Sequence, residues 1–397
     1  MTPRQRVLAY AQGNFGPEYS DRLAGMERRR DQVMAAIEEG GLEAYGFTTR
    51  LGHRDDEAAA SQNLILHEHL VGPTQGAPES FTRLALACLL DQLLRSPSGA
   101  PPNIAITIRR ELERPHLPTY CGAWLSSYGS GDVVPGAWLL HNLIRSQPLV
   151  DPGAVISGIN GNHMSTAVGW IVGHHVQKLS QQCISATQRV SDQANELRSA
   201  HWKRNHTYCA QLPVSLRDLG PIYDAIQKSE DQFDISVDLR LSRNSGNPLF
   251  NIREEWVEAV SQSSFLGLEL TYALCDVGRT AIVACGYLHR TSVFLEQRTE
   301  GTPIQIAKVV HAHLEAARLA LPNPTNFTAA DSNDVEDVRD LSLITACGVA
   351  QVGRHVRAAL AAFGDAHKDI DGEPAPPPSD LSLLDDPRAA HWIEGCG

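Results

Sequence analysis

Apolar residues recur at spacings of three and four along most of the chain. From Ser80, the run SFTRLALACLLDQLLRS sets Leu86, Leu89, Leu90, Leu93 and Leu94 on one helical face and stops at SPSGAPP, which predicts a helix. Phe265 to about Gln297 is apolar nearly all round, which predicts a long helix with other helices on every side. Ile304–Leu321 and Leu341 to about Phe363 read as two further amphipathic helices. Alternation of the strand type is rare; ISVDLRL, Ile235–Leu241, is the best short strand candidate. The pattern as a whole predicts an all-α fold, a bundle of long and partly buried central helices.

The connections carry more chemistry than the helices. Gly41–Arg54 is a glycine-spaced loop, and Gly122–Pro135 contains most of SSYGSGDVVPG, Ser126–Gly136. Pro322–Asp340 is a long polar connection of the kind that is usually functional or disordered. A proline-rich tail begins near Asp371. The expected organisation is one helical domain over residues 1–370 followed by the tail at 371–397, with no internal repeat.

Composition narrows the class. The 397 residues are 42% hydrophobic and 20% charged, as in a globular protein large enough to fold without disulfides. A net charge of -12 argues against non-specific binding to nucleic acid or anionic membrane. The eight cysteines are scattered and form no CxxC, so they read as reduced thiols. The opening residues lack an apolar signal core, and no run predicts a membrane span, so a cytoplasmic location is expected.

Gly129-Ser130-Gly131-Asp132, stiffened by Pro135, is a weak signal when taken alone, because Gly/Ser turns that end at proline are common. Its company is more specific. AYGFTTRLG (44–52), QNLILHEHLVG (62–72), PHLP (115–118), GSGDVVP (129–135), INGNHMSTA (159–167), PVSLR (213–217), GNPL (246–249) and VED (335–337) follow one another along the chain. In this order they resemble the signatures of the histidine and phenylalanine ammonia-lyases and the related aminomutases. The resemblance covers roughly Tyr45 to Phe363. It implies a 4-methylidene-imidazol-5-one (MIO) ring formed from Gly129, Ser130 and Gly131, and a homotetramer with shared active sites. Ring closure requires the amide nitrogen of Gly131 to attack the carbonyl of Gly129, and a residue without a Cβ permits the tight fold this needs.

By the same resemblance, Tyr45 is the base, Arg217 clamps a substrate carboxylate through its guanidinium fork, and Asn160 lies beside the ring. Asn247 and Phe265 line the centre, and Glu336 is an acid reaching it from a neighbouring region. Several positions depart from the family pattern: Gly129 for the usual alanine, Val214 for a tyrosine, Gly246 for an aspartate, and Arg50-Leu51 for Gly-Phe. Glu68 and His69 occupy the positions that set side-chain preference. Polar groups there would be left unpaired against a phenyl ring, so a polar, histidine-like substrate is expected. Two other readings stay open: a reaction on this scaffold without the ring, using Tyr45, Glu68 and His69 as acid/base groups, or a non-catalytic scaffold. No metal is expected, because the histidines of HEHL and GHH stand two and one apart and point to different sides of a helix.

Overall fold

The computed structural model of the chain describes residues 1–54, 56–59, 61–145, 150–204, 212–298, 303–325, 328, 337–366 and 383–395. Among these, the helices in chain order are α1 (Pro3–Ala11), α2 (Glu18–Glu38), α3 (Gln62–Glu68), α4 (Glu79–Arg95), α5 (Pro102–Leu112), α6 (Val133–Ile144) and α7 (Ala154–Ile159). They continue with α8 (His163–Arg204), α9 (Gly220–Ser242), α10 (Leu268–Arg298), α11 (Ile306–Ala320), α12 (Ser342–Ala366) and α13 (Pro387–Glu394). Two short antiparallel pairs complete the described structure, β1 (Gln75–Gly76) with β2 (Cys121–Gly122) and β3 (Leu249–Ile252) with β4 (Val257–Val260). The fold is all-α, and no described helix is long and apolar enough to cross a membrane.

The chain divides into two compact units. The first is Met1–Ile171, Ile235–Thr271 and Pro324–Thr345; the second is Val172–Asp234, Tyr272–Asn323 and Ala346–Gly397. Each is assembled from three stretches of sequence, so no single point along the chain separates them.

In the first unit α4 packs against α1, α2 and α5. It is buried on all sides rather than on one face, and Asp91 within it is paired with Arg6 at 2.7 Å and Arg22 at 3.3 Å. A smaller core of Val33, Ala44, Phe47, Ile156 and Phe250 carries Tyr45 and Leu51 on its edge. The predicted strand at Ile235–Leu241 is helical and closes α9. Its burial explains why: Phe233, Ser236, Val237, Arg240 and Leu241 are buried, a spacing of three and four, while the apolar Ile235 and Leu239 face water. The alternation of letters concealed a helical period.

In the second unit, α10 and α12 contribute Leu274, Ala281, Val349 and Val356 to the core. The expectation that α10 would be enclosed on every side meets a difference, because its Tyr272 and Val283 are exposed in the single chain. Helix α13 docks through Arg357, whose guanidinium donates to both carboxylate oxygens of Glu394 at 2.6 and 2.7 Å.

Candidate functional site

In the first unit the SSYGSGDVVPG loop turns sharply into α6. Gly129 has φ +108° and Gly131 φ +90°, both in the region that side chains rarely adopt. The two glycines are paired across Ser130. Each is a glycine for a local reason. A Cβ on Gly129 would lie 2.3 Å from the backbone oxygen of Asp340, and one on Gly131 would lie 2.6 Å from Asn160 Oδ1. The glycine that replaces the usual alanine at 129 thus goes with the close approach of another backbone segment.

That segment holds the loop directly. The N–H of Asp340 donates to the Gly129 carbonyl at 2.8 Å, and the Arg339 guanidinium lies 5.4 Å over the Tyr128 ring. On the other side, the N–H of Asp132 donates to the Gly161 carbonyl at 2.8 Å. The Asp132 carboxylate accepts from Ser165 N–H at 2.8 Å and Ser165 Oγ at 3.1 Å. Burial, reinforced by the nearby Asp340, pushes the Asp132 carboxyl up to about 7, against the Ser165 hydrogen bonds and the pull of Arg240.

Behind the loop stands Arg240, 2% exposed. Its Nη2 donates to Ser165 Oγ at 2.8 Å and to the Asp340 carboxylate, while Nε reaches Thr166 Oγ1 at 3.2 Å. A Cβ on Gly267 would lie 0.9 Å from its Nη1, so the absence of a side chain there is what admits the guanidinium. The Asp340 carboxylate also accepts from the N–H and hydroxyl of Ser342 at the start of α12.

Asn160 caps α7 and is buried at 5% exposure. Its Oδ1, which faces Gly131, has no hydrogen-bond partner among the described residues. His163 is buried nearby at the start of α8, where desolvation lowers its pKa to about 3. Gly246 lies close to the Asn160 carbonyl and accepts from Ser264 Oγ at 3.5 Å, next to the buried Phe265. Asn247 Oδ1 accepts from the Gln262 N–H at 3.0 Å. The structure therefore gathers Gly129–Asp132, Asn160, Gly246–Asn247 and Phe265 in one region.

Tyr45 sits on a loop bent at Gly46 and Gly52, both with positive φ. Its hydroxyl oxygen accepts the Gly52 N–H at 2.7 Å. Gly46 packs on Ile156 of α7, so this loop rests on the helix that Asn160 ends. Glu68 and His69 have partners of their own. Glu68 pairs with Arg50 and, at 3.7 Å, with Arg54, while the His69 ring bonds the Ile65 carbonyl at 2.7 Å. Arg217 belongs to the second unit, where it is exposed and its Nε donates to the Leu212 carbonyl at 2.7 Å. Val214, in place of the tyrosine, is 74% exposed. Glu336 lies outside the described residues. No group of three potential metal ligands occurs among the described residues.

No family model matches the sequence, and no curated protein matches it. Solved structures do match over almost the full length. The chain is similar to the tyrosine aminomutase of Streptomyces globisporus, with TM-score 0.74 and 16% identity, covering 99% of this chain and 96% of that one. It is also similar to ergothionase of Treponema denticola, with TM-score 0.68 and 14% identity over 100% and 97% of the two chains. A third is the histidine ammonia-lyase of Trypanosoma cruzi, with TM-score 0.67 and 14% identity over 100% and 92%. The fold is that of the ammonia-lyases and aminomutases.

Within this ammonia-lyase fold, the residues present fit an MIO ring. Both glycines hold the backbone in a region open to glycine, the Gly129 carbonyl is hydrogen-bonded, and an unpartnered amide oxygen lies against Gly131. No motif of the sequence marks a role for Arg240, Ser165 or Asp340. The STA after Asn160 hinted at Ser165; Arg240 was hidden inside the strand-like alternation.

Proposed function

We propose that the protein is an MIO-dependent carbon–nitrogen lyase, eliminating ammonia from, or moving the amino group of, an amino acid with a polar, histidine-like side chain. The observation that carries this reading is the Gly129–Gly131 turn, left-handed at both glycines, with Asn160 Oδ1 against it. The MIO ring supplies an electrophile that makes the substrate amine a leaving group. Around it, Tyr45 accepts the β-proton on its phenol oxygen as the C–H electrons form the α,β double bond and the C–N pair departs with nitrogen. The Gly52 N–H donates to the Tyr45 oxygen, Asn160, Asn247 and Phe265 line the centre, and Arg217, exposed on the second unit, keeps from the family resemblance its candidate role as the carboxylate clamp. Glu336 supplies an acid, and Glu68 and His69 are the candidate determinants of a polar side chain, each with a local partner to exchange, Arg50 and the Ile65 carbonyl.

We read the protein as a cytoplasmic homotetramer with shared sites, as the family resemblance implies. Light scattering on the purified protein tests it, and a monomer at all concentrations would exclude it.

The catalytic reading is tested by intact-mass spectrometry and by ammonia release from polar amino acids. The mature chain is expected to weigh less than its sequence by two waters and to show a near-ultraviolet band absent from Ser130→Ala, which also releases no ammonia. Exposed Val214, in the tyrosine's position, favours a second reading, a ring-free reaction or a binding scaffold. An unchanged mass would select it.

A further inference from the structure

We propose that Arg240 and Asp340 form a brace that activates the Gly129 carbonyl for ring closure, a role that rests on the MIO reading above. In closure the Gly131 nitrogen pair attacks the Gly129 carbonyl carbon, a C–N bond forms, and the C=O π electrons move to oxygen. That oxygen leaves as water with the protons from the Gly131 and Ser130 nitrogens, leaving a C=N bond. A second water is made from the Ser130 hydroxyl and the Ser130 Cα hydrogen, leaving the methylidene. The first step is hard because an amide carbonyl is a poor electrophile and its oxygen must accept charge. A preorganised N–H aimed at that oxygen lowers this barrier.

The Asp340 N–H is in that position, 2.8 Å from the Gly129 oxygen. Its placement is set by its own side chain. One carboxylate oxygen is held by Ser342 at the start of α12 and the other by buried Arg240. The same Arg240 nitrogen donates to Ser165 Oγ, and Ser165 grips Asp132, the residue after the attacking glycine. One guanidinium therefore fixes both ends of the tripeptide, the carbonyl through Asp340 and the nucleophile through Asp132. Bare Gly129 allows the Asp340 segment to come this close, and bare Gly267 makes room for Arg240. Arg240 is a positioning residue, acting through Asp340 and Ser165.

The test follows water loss by intact-mass spectrometry in newly synthesised full-length protein, with thermal midpoints measured in parallel. Arg240→Lys and Asp340→Asn are each expected to lose the two waters roughly tenfold or more slowly than the parent, since a misaimed donor forfeits part of its effect. Arg240→Lys should be the milder because it keeps the charge. The double variant Arg240→Met/Asp340→Asn removes both charges of the pair, so neither is left buried without the other. It is expected to recover thermal stability while staying slow. Arg6→Gln, which breaks the closest of the ion pairs to Asp91 elsewhere in the same unit, should lower the midpoint and leave the rate unchanged. Parental rates in the Arg240 and Asp340 variants would overturn the brace, as would a double variant whose rate recovers with its midpoint, or equal slowing in Arg6→Gln. A parent that never loses two waters would instead overturn the MIO reading, and the brace with it.

Discussion

The Gly129–Asp132 loop and the Gly41–Arg54 loop are both bent by left-handed glycines, yet they are held in opposite ways. Behind the first lie Arg240 and Asp340, with side chains 1% and 6% exposed, and a ladder of Ser165, Thr166 and Ser342. The second is tied by ion pairs near water: Arg50 to Glu57 at 3.0 Å, Arg54 to Glu57 at 2.7 Å, and Arg50 to Glu68. Buried, hydrogen-bonded charge resists rearrangement because breaking it strands a charge in a poor solvent. Half-exposed pairs contribute little and weaken with salt. The difference teaches that the loop proposed to become the electrophile is held by buried charge, whereas the Tyr45 loop is anchored by the buried Ala44 and Phe47 and tied at its outer end, around Arg50 and Arg54, by pairs near water.

The sharpest way to break this contrast is Arg240→Met. It should cost about 3–5 kcal/mol, the range for removing one partner of a buried ion pair; chemical denaturation measures it, and a loss no larger than that of a surface substitution would erase the distinction. Gly129→Ala comes next, at about 2 kcal/mol from strained φ and collision with the Asp340 carbonyl. Gly41→Ala, which has open space around it, should cost less, and equal losses would show that contact is not the reason for glycine at 129.

Acid and base then sharpen the picture of the buried region. The Asp132 carboxyl is raised to about 7, so its contribution to stability is complete below about 4 and is lost as pH rises through 7. His163 is lowered to about 3, so its contribution is complete above about 6.5 and is lost as pH falls toward 3. Between about 4 and 6.5 the two oppose one another. Relative to the parent, His163→Gln should make stability fall more steeply with rising pH in that window, and Asp132→Asn should make it rise, each by up to about 1.4 kcal/mol per pH unit. Unfolding curves across that range check the sign.

The smallest effect is expected at the outer loop. Glu68→Gln should leave the unfolding midpoint almost unchanged while raising the rate at which protease cuts within residues 41–54, and added salt should do the same to the parent. A large fall in midpoint would show that the surface pairs hold more than the loop.

Helices were readable because burial writes its period into the letters. The α4 run and the long apolar stretch of α10 needed no other information to be recognised as helices. The turn at Gly129–Gly131 and the loop at Tyr45 were readable as well, through the order of short motifs around them. Arg240 was not. Its partners Thr166 and Asp340 stand 74 and 100 residues away, so no local pattern announces them, and its neighbours Ile235 and Leu239 place apolar letters on a wet face. Glu68 and His69 were legible as polar, but their local partners, Arg50 and the Ile65 carbonyl, are visible only once the loop is folded.

The order in which those partners occur along the polypeptide sets a clock. Gly129, Ser130 and Gly131 emerge from the ribosome well before Arg240, and Asp340 follows later still. A nascent chain halted before α12 would carry the complete tripeptide without the segment that grips it. On the proposed chemistry, ring closure waits until the Asp340 segment has been made, and chains that stop short of it are spared a reactive group they could not yet shelter.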